Sequence, residues 1–265
     1  MHKLKIKNKI FIIVQARLNS TRLPNKILAK ISKKSSLLFL LERLKKVKLA
    51  ETFVAIPANK KNYKLKKILA KNKINFFSGS DKNVLKRYYQ LSNSINANII
   101  VRITSDNPFS DPELINNFIK IFLKNKLDYL SNNLMPTFPH GFDIEIFNHA
   151  ALKESFYKAK TNYEKEHVTP YIRKKKSFKK MNIRLKKNFH DIRVTLDYKE
   201  DLQVIRKILK EKKNTLLTWK DIIKLHFTKP KIFKENKFRT LNSNQNFKKE
   251  TNNWISNNYV NKYYN

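Results

Sequence analysis

An α/β fold built on a mixed, mostly parallel sheet flanked by helices follows from three features of the sequence. Short apolar, β-branched runs alternate with stretches whose apolar residues recur at helical spacing. That alternation is the signature of βαβ units. The chain is also long enough, at 265 residues and 41% hydrophobic, to bury a substantial core.

The strand candidates, in order, are residues 10–14, 53–56, 75–77, 99–103, 129–131 and 142–147. Between them Leu37, Leu38, Leu41, Leu44 and Val47 repeat at helical spacing, as do Val84, Leu85, Tyr88 and Leu91. Leu114, Ile115, Phe118, Ile119 and Phe122 form a third apolar stripe, which Asp111 and Pro112 start well as a capping carboxylate and a first-turn proline. Around 181–197 the period drops to two, because Ile183, Leu185, Ile192, Val194 and Leu196 alternate with polar residues. We expect a small antiparallel insertion there, then helices at about 199–209 and 219–226. From Phe227 onward the chain turns rich in Asn and aromatics and poor in aliphatics. That reads as a basic C-terminal extension (227–265), partly ordered, appended to a single domain over 1–226.

There is no cysteine, which removes disulfides, thiolate metal sites and cysteine nucleophiles, and is compatible with a reducing cytoplasm. The basic N-terminus precedes an apolar run shorter than the roughly 7–15 residues of a secretory signal. No segment approaches the ~20 apolar residues of a membrane span. A cytoplasmic protein without membrane insertion is the expectation. The formal charge of +38 invites a nucleic-acid reading. Against it, Lys, Asn, Ile, Phe and Tyr are abundant and only two glycines occur, the composition that A/T-rich codons produce whatever the function. Nucleic acid as a partner is therefore disfavoured.

Four stretches carry chemistry. Directly after the first strand, QARLNSTRLPNKIL sets Arg17, Arg22 and Lys26 among Asn, Ser and Thr. In open α/β sheets ligands bind beyond the carboxyl ends of strands, and these cations suit phosphate oxygens. Asn19 and Asn25 tolerate the left-handed backbone that tight turns need. A solvated basic loop is the competing account. In VRITSDNPF, Asp106 follows another strand end and suits a hard divalent cation; a simple turn cap would also explain it. In HGFDIEIF, Asp143 and Glu145 lie two apart on an expected strand and share a face, either solvated or gathered for a metal or sugar hydroxyls. In VTLDYKEDL, Glu200 and Asp201 are explained by the helix dipole, whereas Asp197 at the strand end is not.

These stretches, together with FSGSDKNVLKRYY and EKEHVTPYI, resemble in order and spacing the motifs of cytidylyltransferase-like proteins of the spore-coat polysaccharide SpsF type. Those are relatives of the enzymes that make CMP-linked 3-deoxy-manno-octulosonate and CMP-sialic acids. The resemblance runs from about residue 10 to 209. It implies a Rossmann-like nucleotide-diphospho-sugar transferase fold and transfer of CMP from CTP to a sugar, with release of pyrophosphate. It places Arg17, Arg22 and Lys26 on the triphosphate, Gln15 and Ala16 against the base, and Ser20 and Ser105 beside the nucleotide. Gly79 to Asp81 would close over it, and Asp106 and Asp197 align with the family's Mg²⁺ aspartates. His140, Asp143, Glu145, Glu166 and His167 would face the sugar, an acidic one by analogy, and a homodimer would follow the relatives. Relatives usually carry Gly at Asn19 and Asn25 and an acid at His140, so the departure at His140 bears on substrate identity. The rivals are a metal-dependent glycosyltransferase using a nucleotide-sugar, a nucleic-acid-binding protein and a catalytically dead family member.

Overall fold

The computed structural model describes residues 9–212, 216–239 and 259–264. Its centre is an eight-stranded sheet of order β3-β2-β1-β4-β6-β5-β7-β8. The strands are β1 (Ile10–Gln15), β2 (Glu51–Pro57), β3 (Phe76–Gly79), β4 (Ile99–Thr104), β5 (Tyr129–Ser131), β6 (Glu145–Asn148), β7 (Lys180–Arg184) and β8 (Tyr259–Tyr263). Only β6 runs antiparallel to its neighbours β4 and β5; every other pairing is parallel. The β-branched apolar residues of β1 and β4 are buried on both faces, as a sheet covered by helices on both sides requires.

The helices expected from apolar spacing form as α1 (Ser36–Leu44), α3 (Val84–Ser94), α4 (Pro112–Lys124), α8 (Lys199–Glu211) and α9 (Trp219–Thr228). In α4 the Asp111 carboxylate accepts from the Glu113 and Leu114 amides at 3.0 and 3.2 Å, and Pro112 occupies the first turn. Its stripe of Leu114, Ile115, Phe118, Ile119 and Phe122 is buried, each side chain worth about 1.5–3 kcal/mol relative to exposure. Helices α2 (Tyr63–Lys71), α5 (His149–Lys158), α6 (Asn162–His167) and α7 (Pro170–Lys174) join them without a strong apolar stripe to announce them. Among the described residues no helix is long and apolar enough to cross a membrane.

Three expectations need correction. The strand expected over 142–147 starts at Glu145, because the Asn132 side chain takes the ladder bonds of 142–144. Its amide donates to the Phe142 carbonyl at 2.9 Å and its oxygen accepts from the Ile144 amide at 2.8 Å. The antiparallel insertion near 181–197 does not form. Residues 180–184 are β7, a parallel strand between β5 and β8, while 192–194 run beside His140 through a parallel bridge. A period of two reports an extended, half-buried segment, not the segment it pairs with.

The C-terminal segment is also built into the domain. Phe233 is buried, the Asn236 side chain is enclosed, and β8 extends the sheet beyond β7. Tyr264 lies against Phe118, Phe138 and Trp219. The remainder of the expected extension, 240–258 and 265, lies outside the described residues, as does the basic N-terminus over 1–8.

Candidate active site

The carboxyl ends of β1, β2 and β4 lie side by side, so the loops that leave them converge. The first loop owes its shape to Asn25, whose φ of 55° places it in the left-handed region that Asn tolerates. Asn19 is not left-handed. The Leu18 amide donates to the Asn62 side chain at 3.0 Å, and Ile27 is buried in the core, so Lys26 is carried on an anchored turn.

The loop after β4 is held as firmly. The buried Arg43 of α1 donates to the carbonyls of Phe109, Ser110 and Leu217 at 2.6–3.1 Å. The Asp106 carbonyl accepts from the Leu196 amide at 2.8 Å and from the Thr195 hydroxyl at 3.2 Å. That tie brings Asp197 beside Asp106. Gly141 allows it: at φ +117° it sits where a Cβ would lie 2.8 Å from the Thr195 nitrogen.

On this frame Lys26 Nζ bridges two carboxylates, Asp106 Oδ2 at 2.8 Å and Asp197 Oδ1 at 2.7 Å. Arg22 donates to the same Asp197 oxygen at 2.9 Å. Burial acts to lower the Lys26 pKa, but Asp106 and Asp197 outweigh it and raise the ammonium above its ordinary value. Burial likewise acts to raise Asp106, and Lys26 with its hydrogen bonds pulls that carboxyl down to about 2. Both groups are therefore charged near neutral pH.

A cleft of about 470 Å³ opens beside this cluster. Of the residues expected from sequence, Gln15, Ala16, Arg17, Ser20, Arg22, Lys26, Ser105, Asp106, Glu166 and His167 line it. Arg17 reaches Glu166 across its mouth at 3.3 Å. Asp197 stands behind Lys26 and Arg22 and is outside the lining. Gly79 and Asp81 also stay outside it: Asp81 is exposed and accepts from the Asn59 side chain at 2.6 Å.

His140 and Glu145 are structural in this geometry. Glu145 is enclosed and accepts from Arg102, from Arg173 at 2.5 Å, from the Tyr129 hydroxyl at 2.6 Å and from Thr169 at 2.7 Å. Burial would raise its pKa, but Arg173 and Arg102 hold it far below the usual carboxylate range. His140 stacks on His190 and meets an Arg193 amine with Nδ1 at 3.2 Å. Guanidinium only donates, so Nδ1 accepts and the ring is neutral. Burial, His190 and Arg193 push its pKa well down. Asp143 precedes β6 instead of sharing a strand face with Glu145, is half-buried, and has its carboxyl raised to about 6 by burial and by Asp106 and Glu145.

Several contributors carried no sequence signal we could read. Arg87, Arg102 and Thr104 line the cleft. Arg193 donates to Asp197 at 3.3 Å and to both oxygens of Asp201 at 2.8 and 2.9 Å. Asp201 in turn accepts from the backbone amides of Asp197 and Tyr198 and from Asn236. Asp201 thus braces the Asp197 turn as well as opening its helix.

Among the described residues no group of three or more His, Cys, Asp or Glu forms a metal cage. The two carboxylates that converge on one ammonium nevertheless fit a hard cation, which takes one or two protein carboxylates and completes its shell with phosphate and water.

The chain matches the cytidylyltransferase family model over residues 11–222. It is 41% identical over 165 residues to an uncharacterised protein of Methanocaldococcus jannaschii, covering 62% of this chain and 67% of that one. It is 30% identical over 208 residues to the spore coat polysaccharide biosynthesis protein SpsF of Bacillus subtilis, covering 75% and 85%. A solved cytidylyltransferase from Leptospira borgpetersenii superposes with a TM-score of 0.82 at 31% identity, covering 85% of this chain and 97% of the other. With its phosphate-suited loop facing two strand-end aspartates and this match over most of its length, the chain belongs to the cytidylyltransferase family.

Proposed function

We propose that this enzyme transfers CMP from CTP to a hydroxyl of an acidic sugar, of the octulosonic or nonulosonic kind, and so activates it for a surface polysaccharide or glycan. The observation that carries the reading is the Lys26 ammonium shared by Asp106 and Asp197 at the edge of a cleft lined by Arg17 and Arg22. In the reaction the sugar oxygen forms a bond to the α-phosphorus, the bond to the β-phosphate oxygen breaks, and pyrophosphate leaves with the electron pair. The hydroxyl proton passes to solvent.

The chain's own residues supply position and charge. Lys26 spends two of its three N–H donors on Asp106 and Asp197 and has the third for a phosphate oxygen. Arg22 and Arg17 fork onto the departing pyrophosphate, each charge-assisted bond worth about 1.5–3 kcal/mol. Asp106 and Asp197 would hold a divalent cation, Mg²⁺ in this reading, which supplies neutralisation of the α-phosphate and a lower pKa for the sugar hydroxyl. Glu166 and His167 on α6 form the opposite wall, where the sugar would lie.

The test is a thermal-shift panel of the four ribonucleoside triphosphates, with and without Mg²⁺, on the wild type and Lys26→Ala, followed by pyrophosphate release with a panel of acidic sugars. Selective stabilisation by CTP that needs Lys26 is expected. Equal, weak shifts with all four nucleotides would reduce the loop to a basic patch and sink the reading.

A further inference from the structure

Five cations line the cleft: Arg17, Arg22, Lys26, Arg87 and Arg102. Four are matched by carboxylates. Arg17 meets Glu166, Arg22 meets Asp197, Lys26 meets Asp106 and Asp197, and Arg102 meets Glu145. Arg87 differs. It is 2% exposed, yet it donates to two backbone carbonyls, Ser80 at 3.0 Å and Asp81 at 3.3 Å. Among the described residues no carboxylate lies within ion-pair distance of it.

A buried charge without a counter-charge costs several kcal/mol. Tying the Ser80–Asp81 loop to α3 does not require that cost, since a neutral amide donor would serve a carbonyl as well. The two carbonyl bonds occupy Nε and one terminal amine, which fixes the side chain and leaves the Nη1 amine for a ligand. A rigid, half-used fork on the wall of a substrate cleft is the arrangement that recognises an oxyanion with little ordering cost.

We propose that Arg87 receives an anionic oxygen of the substrates, a phosphate of the nucleotide or the carboxylate of the acidic sugar, and thereby sets specificity for charged substrates. The inference rests on the cytidylyltransferase reading for the identity of those substrates. The position on α3, beside α6 with its Glu166 and His167, is compatible with either source.

Two variants separate the outcomes. Arg87→Gln keeps an amide donor for the Ser80 carbonyl and removes the charge; Arg87→Lys keeps a charge and removes the fork. Calorimetry would give the Kd of CTP and of uncharged cytidine, and pyrophosphate release would give the KM of the acidic sugar. We expect Arg87→Gln to keep the unliganded Tm. A loss of CTP affinity of at least about tenfold with cytidine unchanged supports the phosphate arm, the size following from one charged hydrogen bond. A tenfold rise in the sugar KM with the CTP Kd unchanged supports the carboxylate arm. Equal weakening of CTP and cytidine, or no change in any constant, overturns the proposal. Should Arg87→Gln fail to fold, the same constants on Arg87→Lys decide, because a point charge does not replace the fork. If no sugar releases pyrophosphate, the functional reading has failed on its own account. The CTP-against-cytidine comparison then decides for Arg87 alone, and an unchanged ratio overturns it.

Discussion

Asp106 and Glu145 invite comparison: both are acids at the ends of adjacent strands, and both are held by cations. Arg102 of β4 stands directly opposite Glu145 in the antiparallel register, and Arg173 closes from α7. Two hydroxyls complete the shell, so the Glu145 carboxylate has spent its acceptor capacity, and its side chain is 2% exposed. Asp106 shares one ammonium with Asp197, and these side chains keep 27% and 13% of their exposure. A saturated acid holds a fold together; an acid that shares a single cation at the edge of a cleft can exchange it for a ligand. Residue type and position at a strand end do not separate the two cases. Counting donors does.

The comparison breaks first if Glu145 is dispensable. Glu145→Ala leaves Arg102 and Arg173 buried without their counter-charge, and should lower stability by about 3–5 kcal/mol in urea unfolding. That is a large share of the roughly 5–15 kcal/mol of a typical domain. A loss below about 1 kcal/mol would return Glu145 to the candidate ligands. The pH dependence has a definite sign. The folded pKa is depressed below the ordinary value of 4.5, so the stability this group contributes is present above about pH 4.5 and disappears as pH falls further. The gap between wild type and Glu145→Gln should narrow on acidification through that range.

The same contrast predicts a different outcome for the open cluster. Asp106→Asn should cut pyrophosphate release by about 10²–10³-fold, the loss typical of one electrostatic stabiliser, while costing less stability in urea unfolding than Glu145→Ala, because Lys26 keeps Asp197 as its partner. A stability loss as large as that of Glu145→Ala would erase the distinction.

The smallest effect belongs to Asp143, half-buried between the two clusters. Its carboxyl is raised to about 6 by burial and by its acidic neighbours, so folding favours the protonated form. That contribution is complete below the ordinary 3.8 and is lost as pH rises through about 6. Without divalent cations, Asp143→Asn should therefore be more stable than wild type at pH 7, by about 1 kcal/mol after solvent screening. The two should converge below pH ~4. Identical unfolding at both pH values would show that the carboxyl is not strained.

Much of this was legible in the chain. The strands β1, β2, β4 and β5 lie within a few residues of where β-branched runs place them, because burial on both faces demands such runs. The helices with a continuous apolar stripe were legible for the same reason. Three of the four charged stretches could be found because each follows an expected strand end, and these three meet around Lys26; the third, with Asp143 and Glu145, leads into β6 instead.

What stayed hidden depends on contacts between residues far apart in sequence. Nothing local distinguishes Arg87 from the many other cations of a chain with 58 Lys and Arg. Asn236 lies beyond the family match, yet it donates to Asp201 and to the Arg193 carbonyl behind Asp197. Its residue type looks the same in a solvated tail.

By itself, the sequence determined the α/β class, the order of its main elements, the basic loop after β1 and the family. Those are set by the spacing of apolar residues and by local runs of charge, which the chain carries before it folds. Only the tertiary structure decided which acids are saturated, where 181–197 finds its partners, that β8 and Asn236 belong to the domain, and which cleft cation has no matching carboxylate. Those depend on burial and on donor counts, and both exist only once the sheet brings distant strand ends together.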